Sequence, residues 1–305
     1  MGLLLGYCNF IKKNLVILIM MRFSIFVLFT IFSLSVAVAQ PTTGLIAYYS
    51  FDNCDANDDT GNGSTGMISG NPTCECGVQG NALRLDGIDD YITFIGVVNN
   101  VFTTGDFTIS FYFKALSAGG LAQDIFSKRL NCDDNTMLNI EYIHSLNFVG
   151  AELIETGADD AFISGNSNES CWTHFVLTRD NQLISLYLNG ELKQQVTSNS
   201  VIDLDDNTEL TLGNSPCIGS TIARFRGLID EFRVYNLAYG QESIDEMYLS
   251  PDRIGNRDTI VFEGNSIETF ITNSCATTLS WTPIDNVSEP DSASTTITPD
   301  SSGTY

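Results

Sequence analysis

The chain has 305 residues, with 37 acids against 14 Lys or Arg, and a formal charge of −23. A chain this acidic does not bind nucleic acid or anionic lipid by electrostatics. The charge fits solubility outside the cell, and it leaves a few carboxylates free to hold Ca²⁺, which takes hard oxygen ligands.

Met21 and Arg22 precede the apolar run FSIFVLFTIFSLSV, which ends at Ala37-Val38-Ala39. A basic start, an apolar middle and an A-x-A end predict an export signal cut after Ala39. A second apolar run, LVILIM, follows Lys12-Lys13, and an export signal has no need of it. Two readings stay open. Translation starts at Met20 or Met21, or Leu15 to Val38 is an uncut anchor long enough to span a bilayer. The cleavage site favours the first. The expectation is a leader over 1–39, a secreted or cell-surface protein, and no membrane span in the mature chain. Loss of Lys12, Lys13 and Arg22 with that leader takes the charge to −26.

From Gly44 onward, short alternating runs are broken by Gly, Asn and Asp, which is strand texture. The predicted strands are Leu45–Phe51, Ala82–Leu85, Tyr91–Phe94, Phe107–Phe113, Trp172–Thr178, Ile184–Leu188, Glu191–Val196, Glu209–Gly213 and Gly227–Tyr235. Asn189-Gly190 predicts a two-residue type I′ hairpin. One short amphipathic helix is expected over Gln241 to Leu249, with Ile244, Met247 and Tyr248 on one face. Many short strands and little helix predict an all-β sandwich over residues 44–250. After Pro251 the texture changes. Asp258–Phe262 reads as a new strand, and residues 255–305 as the first part of a second β domain.

Six of the 8 cysteines, Cys54, Cys74, Cys76, Cys132, Cys171 and Cys217, fall in the sandwich region. In an exported chain an even set reads as disulfides. Zinc is the rival, but Cys74-Glu75-Cys76 is C-x-C with no partner knuckle. Flanking of central strands favours Cys132 with Cys171. Cys54 is expected with Cys74 or Cys76, and Cys217 with the remaining partner. Cys275, downstream, is expected to be free or to pair beyond Tyr305.

Several runs carry a resemblance. Asp58 to Gly66 reads D-x-x-G-N-G-x-x-G, and Gly80 to Tyr91 reads GNALRLDGIDDY. Phe107-Thr108-Ile109-Ser110-Phe111, Ile125-Phe126-Ser127-Lys128, Trp172-Thr173-His174 and Leu186 to Gly190 follow. Phe225 to Asn236 reads FRGLIDEFRVYN. In this order they resemble the bacterial laminin-G-like, concanavalin A-like jelly rolls, although Leu85 stands where the family usually has Phe. The tail resembles the Ig/PKD-like repeats of Bacteroidetes-type surface proteins, through S-C-A, W-T-P and the terminal G-T-Y. The resemblance implies a two-sheet antiparallel jelly-roll sandwich followed by the start of a second β-sandwich domain.

It also implies a structural Ca²⁺ near the last and first strands. Asp230 is a carboxylate on a face shared with Leu228, Phe232 and Val234, which is costly unless paired or metal-bound. Asp52 and Asn62 are its candidate partners, and capping of loop amides by Asp230 is the alternative. Trp172 is expected between the sheets, with His174 a structural histidine on the same face. Catalysis is not expected. No E-x-D-x-x-E run occurs, Glu152 and Glu155 fall on opposite strand faces, and Asp159-Asp160 and Asp205-Asp206 read as turn acids. The expected role is adhesion, or binding of an extracellular glycan or protein, with a carbohydrate-binding module as the alternative. The candidate ligand-facing aromatics are Tyr142 and Phe148.

Overall fold

The computed structural model describes residues 40–118, 121–132, 136–155, 159–167, 172–251, 253–255, 259–272 and 278–301. The leader, Cys171, Cys275 and the terminal G-T-Y lie outside them.

The strands, in chain order, are β1 (Leu45–Tyr49), β2 (Ser64–Ser69), β3 (Thr73–Cys76), β4 (Asn81–Asp86), β5 (Tyr91–Gly96), β6 (Phe107–Ala115), β7 (Ala122–Arg129) and β8 (Met137–Ile143). They continue with β9 (Phe148–Glu155), β10 (Asp159–Asn166), β11 (Thr173–Asp180), β12 (Leu183–Leu188), β13 (Glu191–Thr197), β14 (Leu210–Leu212), β15 (Ile222–Arg224) and β16 (Arg226–Tyr235). One helix, α1 (Gln241–Met247), follows, then β17 (Arg253–Ile254), β18 (Ile267–Thr272) and β19 (Ser294–Ile297).

The first sheet runs β13-β12-β11-β6-β16-β4-β3, with β1 added on β16. The second runs β10-β9-β8-β7-β14-β5-β2, with β15 parallel on β7. The inward faces of the two sheets meet as a jelly-roll sandwich. Phe232 of β16 packs on Phe94 of β5 with ring centroids 5.2 Å apart, and Tyr49 of β1 meets Phe94 at 4.5 Å. Burial of such rings is the main favourable term for a fold of this kind. Asn189 and Gly190 both take positive φ (55° and 78°), as the predicted hairpin requires, and Leu188 pairs with Glu191 across it.

Four expectations are corrected. Trp172 is buried, but with Tyr112, Leu228 and Ala82 on the outer face of the first sheet, under Tyr248 and Leu249. Phe175 and Leu177 take the inward positions of β11, so Trp172 and His174, of opposite parity, face outward. Asp230 does not share a face with Phe232 and Val234. The β16–β6 register shifts between Asp230 and Arg233, and Glu231 takes φ 57°. This bulge switches the strand's faces, so Asp230 lies with Leu228 on the outer side while Phe232 and Val234 point inward. Residues 259–262 of the expected strand Asp258–Phe262 form no strand; the downstream three-stranded sheet is β17-β18-β19.

The fourth correction concerns the cysteines. Cys132 pairs with Cys217, Cα–Cα 4.8 Å, rather than with Cys171. The cause is topological. β14 lies antiparallel beside β7, with Thr211 opposite Ser127, and the chain after β14 passes back along β7, where Arg129 donates to Cys217 Sγ. Cys54 pairs with Cys74, Cα–Cα 5.6 Å, and Cys76 is also disulfide-bonded. Among the described residues no helix is long and apolar enough to cross a membrane.

Candidate functional site

Chemistry gathers on the outer face of the second sheet, where β7, β8, β9 and β10 lie side by side. Leu138, Ile140 and Tyr142 of β8 point into the core, so Asn139, Glu141 and Ile143 point out. Val149, Ala151 and Leu153 of β9 point in, which turns Phe148, Gly150 and Glu152 out. On β10, Ala161 and Ile163 point in and Phe162 points out, 53% exposed. Register then sets Phe162, Glu152 and Asn139 in one row across three strands.

Phe148 and Phe162 stack with centroids 6.2 Å apart and planes 21° from parallel. Gly150 lies beneath them. A Cβ there would meet Phe162 at 3.1 and 3.2 Å and Phe148 at 3.3 Å, so glycine lets both rings settle on the sheet. Beside the rings is a cavity of about 70 Å³ lined by Asn139, Glu141, Ile143, Gly150 and Glu152 with the two phenylalanines.

A buried polar network lies behind it. Asp124 of β7 is fully buried, and Ser215 Oγ donates to its Oδ2 in a very short contact. Asn139 Nδ2 donates to Asp124 Oδ1 at 2.9 Å and to Glu141 Oε1 at 2.9 Å. Burial, and then the charge of Asp124, pushes the Glu141 carboxyl up to about 7.

Of the two aromatics expected to face a ligand, Phe148 lies on the outer face of the sheet beside the cavity and Tyr142 lies in the core. Tyr142 is 3% exposed, with its ring against Phe113 and its hydroxyl donating to Asn147 Oδ1. Phe162, Asn139 and Glu141 were not singled out in the sequence. The signal for Phe162 was its place between the inward pair Ala161 and Ile163.

Asp52 and Asp230 converge on the turn over 77–81. Asp230 Oδ2 accepts the amides of Val78 (2.6 Å) and Gln79 (3.3 Å), and Asp52 Oδ1 accepts that of Asn81 (2.9 Å). Asp230 Oδ1 has no partner, and burial raises this carboxyl to about 8. Asn62 is elsewhere. Its amide donates to the carbonyls of Leu45 and Ile46, at the opposite end of β1 from Asp52.

His174 is fully buried. Its ring stacks on Tyr112, centroids 4.4 Å apart, and its Nε2 lies 2.8 Å from Ser110 Oγ. Ser110 is 1% exposed and His174 Nδ1 has no partner, so this pair has neither the access nor the orienting group that a nucleophile–base pair needs. A larger cleft of about 570 Å³ lies by Arg84, Asp86, Asp90 and Arg226. Its charges are already used. Arg84 pairs with Glu75, Arg226 donates to the Ser117 carbonyl, and Asp90 accepts the amides of Asn71 and Asp86.

The family model described as the concanavalin A-like lectin/glucanases superfamily matches residues 86–245, just over half of the chain. The chain belongs to that superfamily. Among curated proteins none matches. Among solved structures, this superfamily member is similar to domain 4 of AbnA, a GH43 extracellular arabinanase from Geobacillus stearothermophilus, in complex with arabinotriose. The identity is 23% and the TM-score 0.54, over 68% of this chain and 100% of that one. It is also similar to the binding domain of Paraclostridial Mosquitocidal Protein 1 (16%, TM-score 0.56, 68% of this chain and 52% of that). A third is the binding domain of Botulinum Neurotoxin DC in complex with SialylT (14%, TM-score 0.54, 68% and 53%). The chain thus spans about half the length of these toxin binding domains, and likenesses this distant show the fold.

Proposed function

We propose that this is a non-catalytic, extracellular glycan-binding protein that holds sugar on the outer face of its second sheet. The observation that carries the reading is the pair formed by exposed Phe162 and half-buried Phe148 beside Asn139, Glu141 and Glu152. Sugar rings present apolar C–H faces, which pack on aromatic rings, and hydroxyls, which bond to carboxylates and amides. The sequence alone favoured adhesion over carbohydrate. The stacked pair reverses that order, and the arabinotriose-bound and SialylT-bound neighbours support it.

The glycan is neutral. Two glutamates line the cavity of a chain with a charge of −23, and they repel uronates and sulfates. The reading is non-catalytic because Asp124 is buried and Asn139 ties it to Glu141, so these two acids do not flank a bound sugar as a glycosidase pair must. The disulfides support export, as does the leader expected from the sequence. A structural Ca²⁺ held by Asp52, Asp230 and carbonyls of the 77–81 turn is part of the same reading, supported by the orphaned Asp230 Oδ1.

A neutral-oligosaccharide array probed with the full chain tests the function. Binding that Phe162→Ala weakens by about tenfold or more is expected, the loss of one stacking face. No glycan binding, binding indifferent to Phe162, or measurable polysaccharide hydrolysis overturns the reading. Capture of a protein partner in place of glycan returns the adhesion alternative.

A further inference from the structure

Asp124 and Glu141 are cross-strand partners on the β7–β8 ladder. Like charges in that position repel, and here water does little to screen them. Asp124 is fully buried and Glu141 is half-buried. Asn139 Nδ2 donates to Asp124 Oδ1 and to Glu141 Oε1, 2.9 Å in each case, so the two carboxyl groups lie within twice that distance of each other. They are also within hydrogen-bond reach of one another. Two ionised carboxylates have no hydrogen to place between them, whereas one protonated carboxyl has.

The groups around the pair supply no counter-ion. Arg129 of β7 acts on Glu141 from a distance, but its guanidinium donates to the sulfurs of Cys217 and Met137. Glu152 of β9, paired with Asn139, adds a further negative charge. Ser215, in the segment after β14, donates its hydroxyl to Asp124 Oδ2, and β10 brings only the Phe162 ring to the cavity. Neither acid joins an ion pair among the described residues. Burial, then the charge of Asp124 and the hydrogen bond to it, and to a lesser degree Glu152, hold the Glu141 carboxyl up at about 7 against the pull of Arg129.

Glu141 is also a wall of the cavity beside Phe148 and Phe162. Sugar that packs on these rings covers the cavity and expels its water, which penalises the charged form of the carboxyl further. The neutral form offers an O–H donor as well as acceptors, and sugar hydroxyls match both. The occupied site therefore holds the proton more firmly than the empty one.

We propose that Asp124 and Glu141 hold one proton between them and that its loss weakens glycan binding. The inference rests on the glycan reading and adds to it a pH dependence that belongs to the protein, since a neutral glycan has no titrating group of its own. A group whose pKa rises on binding contributes fully below its value in the free protein, and that contribution is lost as the pH rises through it. Affinity is thus highest below about 7 and falls above it.

The neutral-oligosaccharide array, probed with the full chain at pH 6, 7, 8 and 9, tests it. Affinity should fall by about tenfold from pH 6 to pH 9, the effect of a pKa raised by about one on binding. Glu141→Gln, with folding checked by circular dichroism, should bind with no such fall. Both histidines are present in both proteins, so their titration cancels in the comparison. A second readout needs no ligand. The carboxyl carbon of Glu141, followed by NMR in the wild type and assigned by its absence in Glu141→Gln, should titrate near 7. An ordinary glutamate midpoint of about 4.3 overturns the inference. Binding that is level from pH 6 to pH 9, that strengthens with pH, or that falls equally in Glu141→Gln also overturns it and leaves the glycan reading standing. No binding at any of the four pH values overturns the glycan reading, and this inference with it.

Discussion

Glu231 and Arg233, two residues apart on β16, form an ion pair inside the protein, with Glu231 fully buried. Alternation alone would not prevent this, but the bulge at Glu231 is what turns the pair toward β1. There Tyr48 donates its hydroxyl to Glu231 Oε1 at 3.0 Å, and the Arg233 guanidinium lies 4.0 Å from the Tyr48 ring centre. Removal of one partner leaves an uncompensated buried charge. Arg233→Met should cost about 3–5 kcal/mol, read as a shift of the urea midpoint. A loss under about 1 kcal/mol would show that Glu231 finds another partner or water.

His174 makes stability depend on pH. Burial first, and then the charge of Arg233, lowers its pKa to about 3, against the ordinary value of about 6.5 in the unfolded chain. Between these values the unfolded chain takes up a proton that the folded one refuses. Stability from this group is therefore complete above about 6.5 and falls as the pH drops toward 3, approaching about 1.4 kcal/mol per unit. Asp230, raised to about 8, works the other way over the upper part of this range. The measurement is thus the difference between wild type and His174→Gln, by denaturant melts from pH 7 to pH 4. The wild type should lose stability relative to the variant as the pH falls. Parallel profiles would mean that His174 is protonated in place.

How far the sequence could be read follows from these residues. The alternating phenylalanines of β6, the Asn189-Gly190 hairpin and the α1 helix were legible because each is a local signal. The faces of Asp230 and Trp172 were not. A bulge reverses parity without changing composition, and an outer sheet face covered by a helix buries aromatics as thoroughly as the interior does. The partner of Cys132 depended on β14 lying beside β7, a long-range fact. Within the site, Phe148 could be named, but Asn139, Glu141 and Phe162 are brought into one patch only by the register of three strands.

The two described disulfides should differ in strength. Cys132–Cys217 closes a separation of 85 residues and Cys54–Cys74 one of 20. By loop-closure entropy the first contributes about 4.6 kcal/mol and the second about 3.3 kcal/mol. The Cys132→Ser/Cys217→Ser double variant should therefore melt below its Cys54→Ser/Cys74→Ser counterpart. The reverse order would place the stabilisation in native contacts around Cys54 rather than in the unfolded chain.

Gly150 offers the most direct check on the aromatic platform. A methyl group there meets both rings at 3.1–3.3 Å, tighter than ordinary contact, so Phe148 and Phe162 must move apart or tilt. The backbone of Gly150 is ordinary strand, paired with Glu141 and Ser164, so alanine does not strain the chain. Gly150→Ala should leave the melting temperature within a few degrees, since alanine also favours the strand relative to glycine. Its glycan affinity should nevertheless fall severalfold, because stacking depends on where the ring faces lie. Titration of the best array ligand into wild type, Gly150→Ala and Phe162→Ala separates the causes. A Gly150→Ala variant that binds as the wild type does, while Phe162→Ala does not, would mean that the sugar uses Phe162 alone and not the paired rings.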